Sequence, residues 1–184
     1  SIKQALIKIG YPVDDRGGYM EGDPLQVELR YNTSDQHRKI AVAVQSMWRD
    51  VLGVETTLVN EEFQVLLNNM REAKITQVFR SSWMGDYNDA HTFLSVLQSD
   101  NPANMPRYAS DEYDELMARA AAQIDPALRR LFLEEAERVM LQDHPAIPMY
   151  FWVSKHLVRP EVRGWGDNVL DYHYSQHLSL SAPE

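Results

Sequence analysis

The sequence contains no cysteine among its 184 residues. Without thiols the chain cannot form disulfides, thiolate zinc sites or iron–sulfur clusters, and it has no cysteine nucleophile. Long apolar runs are also absent, since none approaches the roughly 20 residues that a membrane-spanning helix needs. Direct insertion into a membrane is therefore not expected.

Basic residues are fewer than acidic residues in this sequence. The chain carries 27 acidic and 18 basic residues, which gives a formal net charge of −9. Because contacts to phosphate require clustered lysine and arginine, nucleic acid is not expected as a partner. The remaining composition, 44% hydrophobic and 24% charged, suits one ordinary globular domain over residues 1–184.

Hydrophobic periodicity in the first half of the chain predicts alternating strands and helices. Strands are predicted over residues 25–31, 54–59 and 75–81, where apolar and β-branched residues predominate. Helices are predicted between them, one ending at Gly53 and one capped by Asn60. Such alternation with short loops indicates a parallel sheet, and ligands of these sheets bind beyond the carboxyl ends of the strands.

The second half of the chain predicts mainly helices. One is expected over about residues 90–97, one after Ser110, and a long one from the Asp125-Pro126 pair to about Gln142. The apolar and aromatic segment 146–153 then predicts a strand, and residues 155–158 predict another. His144 and Pro145 mark the end of the long helix.

Motifs for catalysis or cofactor binding are missing. No His-Glu-x-x-His, Gly-x-Ser-x-Gly, phosphate-binding loop or dinucleotide fingerprint occurs. His173 and His177 are four residues apart, but their surroundings indicate a strand or an irregular tail, and no third ligand accompanies them. We therefore expect no catalytic residue, no metal site and no cofactor.

The most distinctive segment follows the third predicted strand, from Arg80 to Asp89. Trp83 and Tyr87 offer apolar faces with polar groups at their edges, while Asp86 and Arg80 offer opposite charges that could hold the two ends of a zwitterion. The alternative is that Arg80 pairs with Asp86 and that Trp83 belongs to the core.

Three stretches, taken together, resemble the C-terminal lobe of the extracytoplasmic oligopeptide-binding proteins of ABC transporters, solute-binding protein family 5. They are LRYNTSDQHRK at 29–39, WMGDYND at 83–89, and AIPMYF at 146–151 with LVRP at 157–160. The resemblance implies an α/β fold, one lobe of the type II periplasmic-binding-protein architecture, with a mixed, mainly parallel sheet flanked by helices. It also implies that residues 1–184 are a fragment of a longer two-lobed protein.

The resemblance assigns roles to several residues near the Trp-x-x-Asp-Tyr turn. Asp86 stands at the position that pairs with the α-amino group of a peptide ligand. The backbone before it, at Ser82 and Met84, is expected to pair with the peptide like an added strand. Trp83 and Tyr87 of the same turn are further candidate ligand-binding residues. Met84 also replaces a cysteine that forms a disulfide in some members.

The opposite end of the ligand is expected to meet basic residues. By resemblance, Arg80 and His37 are candidates for the ligand's carboxylate, and Asn32 stands at a position near the ligand. Arg71 is a further candidate, although the helix that carries it differs in length from the family's. The alternative for His37 is an ordinary exposed residue in the first turn of a helix.

The function implied is non-enzymatic capture of short peptides for an ABC importer. The expected partners are the peptide, the transporter permease and the N-terminal lobe of the same protein, in the periplasm or tethered outside the membrane as a lipoprotein. Alternative ligands within the same fold are dipeptides, murein peptides, opines, nickel complexes or sugars. A remote alternative is a small hydrolase that uses Asp86, Asp89 and His91, although no oxyanion motif accompanies them.

Overall fold

The computed structural model describes residues 25–75, 77–168 and 170–181. The chain divides into two compact units, Ser1–Ser82 and Trp83–Glu184. The prediction of a single domain stays a prediction. Among the described residues, no helix is both long enough and apolar enough to span a membrane.

A three-stranded parallel sheet forms the centre of the first unit. Its strands are β1 (Gln26–Asn32), β2 (Glu55–Glu61) and β3 (Val78–Phe79), in the order β2-β1-β3. The predicted parallel sheet is thus confirmed, although β3 is shorter than the predicted strand over 75–81. The central strand places Leu29 opposite Leu58 on one side and Val78 on the other.

Two helices, α1 (Asp35–Leu52) and α2 (Phe63–Arg71), connect the strands of this sheet. Helix α1 ends at Gly53, which adopts the left-handed conformation predicted for it with φ 66°. The predicted cap at Asn60 is wrong, because Asn60 still pairs with Tyr31 in the sheet. Glu62 caps α2 instead, and its carboxylate accepts two backbone N–H groups of the first turn.

Polar contacts secure the strand ends of the first unit. Arg30 on β1 pairs with Glu61 on β2 at 2.5 Å. The amide of Asn69 on α2 donates to the same carboxylate at 3.1 Å. Strand β1, strand β2 and helix α2 are therefore joined at the edge where the strands end.

Helices predominate in the second unit. They are α3 (His91–Leu94), which continues into a 3-10 turn (Ser95–Leu97), α4 (Asp111–Ala122) and α5 (Pro126–Asp143). A short antiparallel pair, β4 (Val162–Arg163) and β5 (Ser179–Leu180), follows, with a 3-10 turn (Ser175–His177) before β5. The core of the unit lies between these helices and includes Leu94, Leu97, Tyr113, Leu116, Met117, Leu133, Ala136 and Val139.

The ends of α4 and α5 agree with the sequence signals. Ser110 caps α4 by accepting the N–H of Tyr113. Asp125 caps α5 by accepting the N–H of Ala127 at 2.8 Å, and proline occupies the first turn. His144 ends α5 in the left-handed conformation, with φ 58°.

The predicted strands over 146–153 and 155–158 are wrong. Residues 146–158 form no strand in the part of the chain that the structure describes, and their side chains are exposed, Phe151 to 97%. A strand requires a neighbour for its backbone hydrogen bonds, and apolar composition does not supply one. The segment 146–158 is mainly apolar as the prediction required, but the described residues include no strand that pairs with it.

We predict that Tyr113→Phe destabilises the protein. Tyr113 is fully buried, and its hydroxyl donates to the Leu94 carbonyl at 2.6 Å. Loss of this buried hydrogen bond costs about 0.5–1.5 kcal/mol. Tyr108→Phe is the matched control, because the Tyr108 hydroxyl donates to Asp143 at an exposed position. Urea unfolding should show the larger loss for Tyr113→Phe, and equal losses would contradict this account.

Candidate functional site

In the first unit, polar residues gather where β1 and β3 end. Asn32 is the last residue of β1, and Arg80 directly follows β3 with its N–H donating to the Arg30 carbonyl at 2.8 Å. His37 lies in the first turn of α1. Because parallel strands end at the same edge of a sheet, Arg80 meets Asn32 and His37, from which it is far apart in sequence.

His37 is partly buried and electrostatically coupled to its neighbours. Burial lowers the pKa of the imidazole, the positive charge of Arg80 lowers it further, and a hydrogen bond with the Asn32 backbone opposes the shift. Its Nδ1 is buried without a hydrogen-bond partner among the described residues. A guanidinium beside an imidazole nitrogen that lacks a partner is suited to an anionic ligand such as a carboxylate. The alternative of an ordinary exposed histidine does not fit this environment.

In the second unit, the segment 83–89 is fixed through its backbone. The N–H of Asp86 donates to the hydroxyl of Thr92 at 3.0 Å, and Thr92 is only 2% exposed. Gly85 lies against α3 so closely that a Cβ there would be 3.1 Å from both Phe93 and Thr92. Glycine at this position therefore allows the turn to pack on the helix.

The side chains of this turn remain available. The carboxylate of Asp86 is exposed and forms no hydrogen bond or ion pair with the described residues of its own unit. Trp83 and Tyr87 are each 44% exposed, and Met84 is exposed as well. Trp83 is thus no core residue, which removes that alternative for its role. Ser82, the last residue of the first unit, is also exposed.

A network of side chains follows the turn. Arg129 on α5 donates to both oxygens of Asp89, at 2.7 and 2.9 Å, and Asp89 accepts the His91 N–H at 2.8 Å. The pairing with Arg129 lowers the pKa of the Asp89 carboxyl. The Tyr87 hydroxyl lies 2.6 Å from Nδ1 of His91. Asp89 and His91, two of the three residues named in the hydrolase alternative, therefore take part in interactions next to the turn.

Sequence reasoning did not identify Arg129 as part of this region. It lies 40 residues from Asp89 and occupies a long, strongly charged helix where arginine is ordinary. Only the packing of α5 against α3 brings the two residues together. The proposed ligand roles of Asn32, His37, Arg80, Ser82, Trp83, Met84, Asp86 and Tyr87 stay predictions.

Comparison with known proteins identifies the family. Residues 3–105 match the model of the bacterial extracellular solute-binding proteins, family 5. The chain belongs to this family. The fold agrees with that assignment, because the helix-flanked parallel sheet is the arrangement that the resemblance implied.

Relatives in this family are named as periplasmic binding proteins. The periplasmic murein peptide-binding protein MppA of Escherichia coli is 35% identical over 89% of this chain and 30% of its own length. The periplasmic oligopeptide-binding protein OppA of the same organism gives the same values. The probable deoxycholate-binding periplasmic protein YgiS, also from E. coli, is 36% identical over 91% of this chain and 31% of its own length.

Solved structures of the family superpose on nearly the whole chain. The E. coli murein tripeptide-binding protein MppA matches with a TM-score of 0.84 and 32% identity over 97% of this chain and 33% of that protein. OppA of Haemophilus influenzae, solved in complex with the peptide RPPGFSPFR, matches with a TM-score of 0.81 and 29% identity over 97% of this chain and 34% of that protein. The chain spans about a third of the length of these relatives.

We predict that Asp89→Asn destabilises the fold in a pH-dependent way. The folded-state pKa of Asp89 lies below the unfolded value of about 3.9, so its ionised form stabilises the protein above that pH. This contribution is lost as the pH falls through the lowered folded pKa. We expect a loss of about 1 kcal/mol at pH 7 that shrinks at pH 3, measured by urea unfolding.

The matched control for this experiment is Asp86→Asn, which removes an exposed carboxylate that forms no ion pair with the described residues of its own unit. It should leave the free energy of unfolding unchanged at both pH values. An Asp89→Asn loss that is equally large at pH 3 would contradict the ion-pair explanation.

Proposed function

We propose that this chain is a ligand-binding lobe of a solute-binding protein that captures short peptides for an ABC importer. The observation that carries the proposal is an exposed Asp86 carboxylate on a turn whose backbone is held by Thr92 and Gly85. The names of the relatives MppA and OppA, which refer to murein peptides and oligopeptides, support the same ligand class.

In this proposal Asp86 anchors the α-amino group of the peptide. Because the backbone that carries Asp86 is already held by Thr92, only the side-chain torsions of Asp86 have to be ordered when its carboxylate binds an ammonium. The main chain at Ser82 and Met84 pairs with the peptide backbone, which gives affinity without selecting side chains. The exposed faces of Trp83 and Tyr87 offer apolar contacts to the peptide.

Arg80 and His37 are proposed to receive the carboxylate end of a peptide, with Asn32 beside them. The buried Nδ1 of His37, which has no hydrogen-bond partner among the described residues, and the positive charge of Arg80 that acts on this imidazole support the assignment. Together they could form charge-assisted hydrogen bonds of the kind that carboxylates make in proteins.

The proposed protein is a binding protein and not an enzyme, and it uses no cofactor for ligand capture. Its partners would be the N-terminal lobe of the same protein and the permease of the transporter, in the periplasm. Two lobes that close on the ligand would enclose it, as in other hinged binding proteins. The relatives' names place those proteins in the periplasm and describe them as binding proteins.

A second candidate keeps the fold and changes the ligand. The relative YgiS is named as a probable deoxycholate-binding protein at 36% identity, which is as similar to this chain as the peptide binders are. A bile acid carries a carboxylate but no amino group. It would use the Arg80 and His37 group and leave Asp86 without a role.

We predict that Asp86→Ala in the full-length protein weakens binding of a peptide with a free amino terminus at least tenfold. The loss reflects a charge-assisted hydrogen bond, worth about 1.5–3 kcal/mol. Isothermal titration calorimetry should also show that an N-acetylated peptide binds the wild type weakly and is insensitive to the substitution.

Asp100→Ala is the control for this test, because it removes one exposed acidic residue elsewhere in the same unit and changes the net charge equally. Unchanged affinity of Asp86→Ala for the free peptide would overturn the anchor assignment. Stabilisation of the wild type by deoxycholate, with no effect of any peptide, would favour the second candidate.

We predict that Arg80→Met weakens binding of a peptide with a free carboxyl terminus about tenfold but leaves binding of the C-terminally amidated peptide unchanged. In the ligand-free protein the same substitution should raise the pKa of His37, because the charge of Arg80 lowers it. NMR titration of the imidazole tests that shift. If the pKa of His37 rises but both peptides lose affinity equally, Arg80 does lie near His37 but does not bind the carboxylate of the peptide.

A further inference from the structure

A cluster of metal-binding donor groups lies in the second unit, away from the 83–89 turn in sequence. Nε2 of His156 is 2.7 Å from Oδ1 of Asp171, and Nε2 of His173 is 3.0 Å from the same oxygen. One ligand atom from each of the three residues lies within 4.8 Å of the other two. Two imidazoles and one carboxylate therefore converge on a common point.

The spacing and chemistry of these donors suit a divalent transition metal. Bonds of about 2.0–2.1 Å to a tetrahedral ion place neighbouring donors about 3.3 Å apart. The two measured separations from Asp171 are close to that value and need only small side-chain movements. Imidazole nitrogen favours zinc and its neighbours over magnesium and calcium, which prefer oxygen.

The loop backbone presents Asp171 to the two imidazoles. Asp171 adopts a left-handed conformation with φ 55°, which aspartate tolerates better than most residues. Its N–H donates to the Asn168 carbonyl at 3.0 Å, and the Asn168 side chain bonds both the N–H and the carbonyl of Tyr172. A side-chain hydrogen bond from Ser154 also reaches the Asp171 carboxylate.

The two imidazoles are held by aromatic packing. The ring of His173 stacks on Trp165 with centroids 3.6 Å apart and planes 11° from parallel. Its side chain is 10% exposed, whereas that of His156 is 35% exposed. The ring of His156 meets Trp165 edge-on at 5.1 Å. One ligand is thus fixed in place, and the other lies at the surface, where an ion can enter.

We propose that His156, Asp171 and His173 form a binding site for a divalent transition-metal ion, with Zn²⁺ as the best-matched probe. The ion replaces hydrogen bonds between the imidazoles and the carboxylate, and solvent completes its coordination. It links the exposed segment before residue 160 to the loop that carries Trp165 and Asp171. The site stands independently of the proposed peptide function, because it shares none of its residues.

The test uses the full chain without an affinity tag that contains histidine. Calorimetry should show one equivalent of Zn²⁺ bound, and His156→Ala and His173→Ala should each weaken binding at least about tenfold. Bound Co²⁺ should give visible d–d absorption that is absent from both variants, and Mg²⁺ should not bind. Zn²⁺ should also raise the melting temperature, and EDTA should reverse that rise.

His177→Ala is the matched control. The His177 imidazole lies near the Gln176 amide and outside the cluster, so its removal should leave Zn²⁺ affinity unchanged. Far-UV circular dichroism verifies that each variant is folded, and the exposed His156 is the position least able to disturb folding. Failure of the wild type to bind Zn²⁺, or equal affinity in wild type and His156→Ala, would overturn the proposal. Loss of binding in His177→Ala would overturn it as well.

Discussion

The hydrogen bonding of β1 on both of its edges is the constraint on which the first unit depends. A central parallel strand fixes the positions of its neighbours, so β2 and β3 end at the same edge as β1. Asn32 and Arg80 are brought together for that reason and not through any attraction of their own. His37 joins them because α1 begins three residues after β1 ends. The polar group at this edge is a consequence of backbone pairing.

The turn at residues 83–89 in the second unit is held in place in a different way. It depends on Gly85, which has no side chain to keep the turn away from α3. Gly85 allows close approach to α3, and Thr92 then holds the backbone of Asp86. The carboxylate of Asp86 has no partner among the described residues of its unit, while the N–H of the same residue is anchored. Asp86 thus combines a backbone that is held in place with a charge that is available to a ligand, as expected of a preorganised binding group. The carboxylate of the nearby Asp89, in contrast, is paired with Arg129 on α5.

Sequence patterns correctly predicted those features that depend only on residues close together in the chain. The caps at Ser110, Asp125 and Gly53 depend on residues within one turn of helix, and all three are found. The parallel sheet followed from the alternation of strands and helices. The cap at Asn60 failed because sheet pairing extended β2 past it, which is a tertiary effect that no local pattern reveals.

Features that depend on distant residues could not be predicted. Asp89 and Arg129 are 40 residues apart, and His156 and Asp171 are 15 residues apart. The spacing of His173 and His177 would suit two ligands on a helix, but their surroundings in the sequence argued against a metal pair there. The structure places His173 with His156 instead. The segment from Arg80 to Asp89 was distinctive in the sequence itself, whereas the specific roles of its residues came from the resemblance to a family. The same resemblance supplied Asn32, His37, Ser82 and Met84 as candidates.

The exposed segment after α5 affects the behaviour of the chain in solution. Residues 149–154 contain neither a charged side chain nor proline, and Phe151 and its apolar neighbours face solvent. Uncharged, β-prone segments of this kind adhere to one another as protein concentration rises. The net charge of −9 opposes that association through long-range repulsion, which salt screens. Added salt is therefore expected to favour contacts between these segments, because it weakens the repulsion that keeps molecules apart.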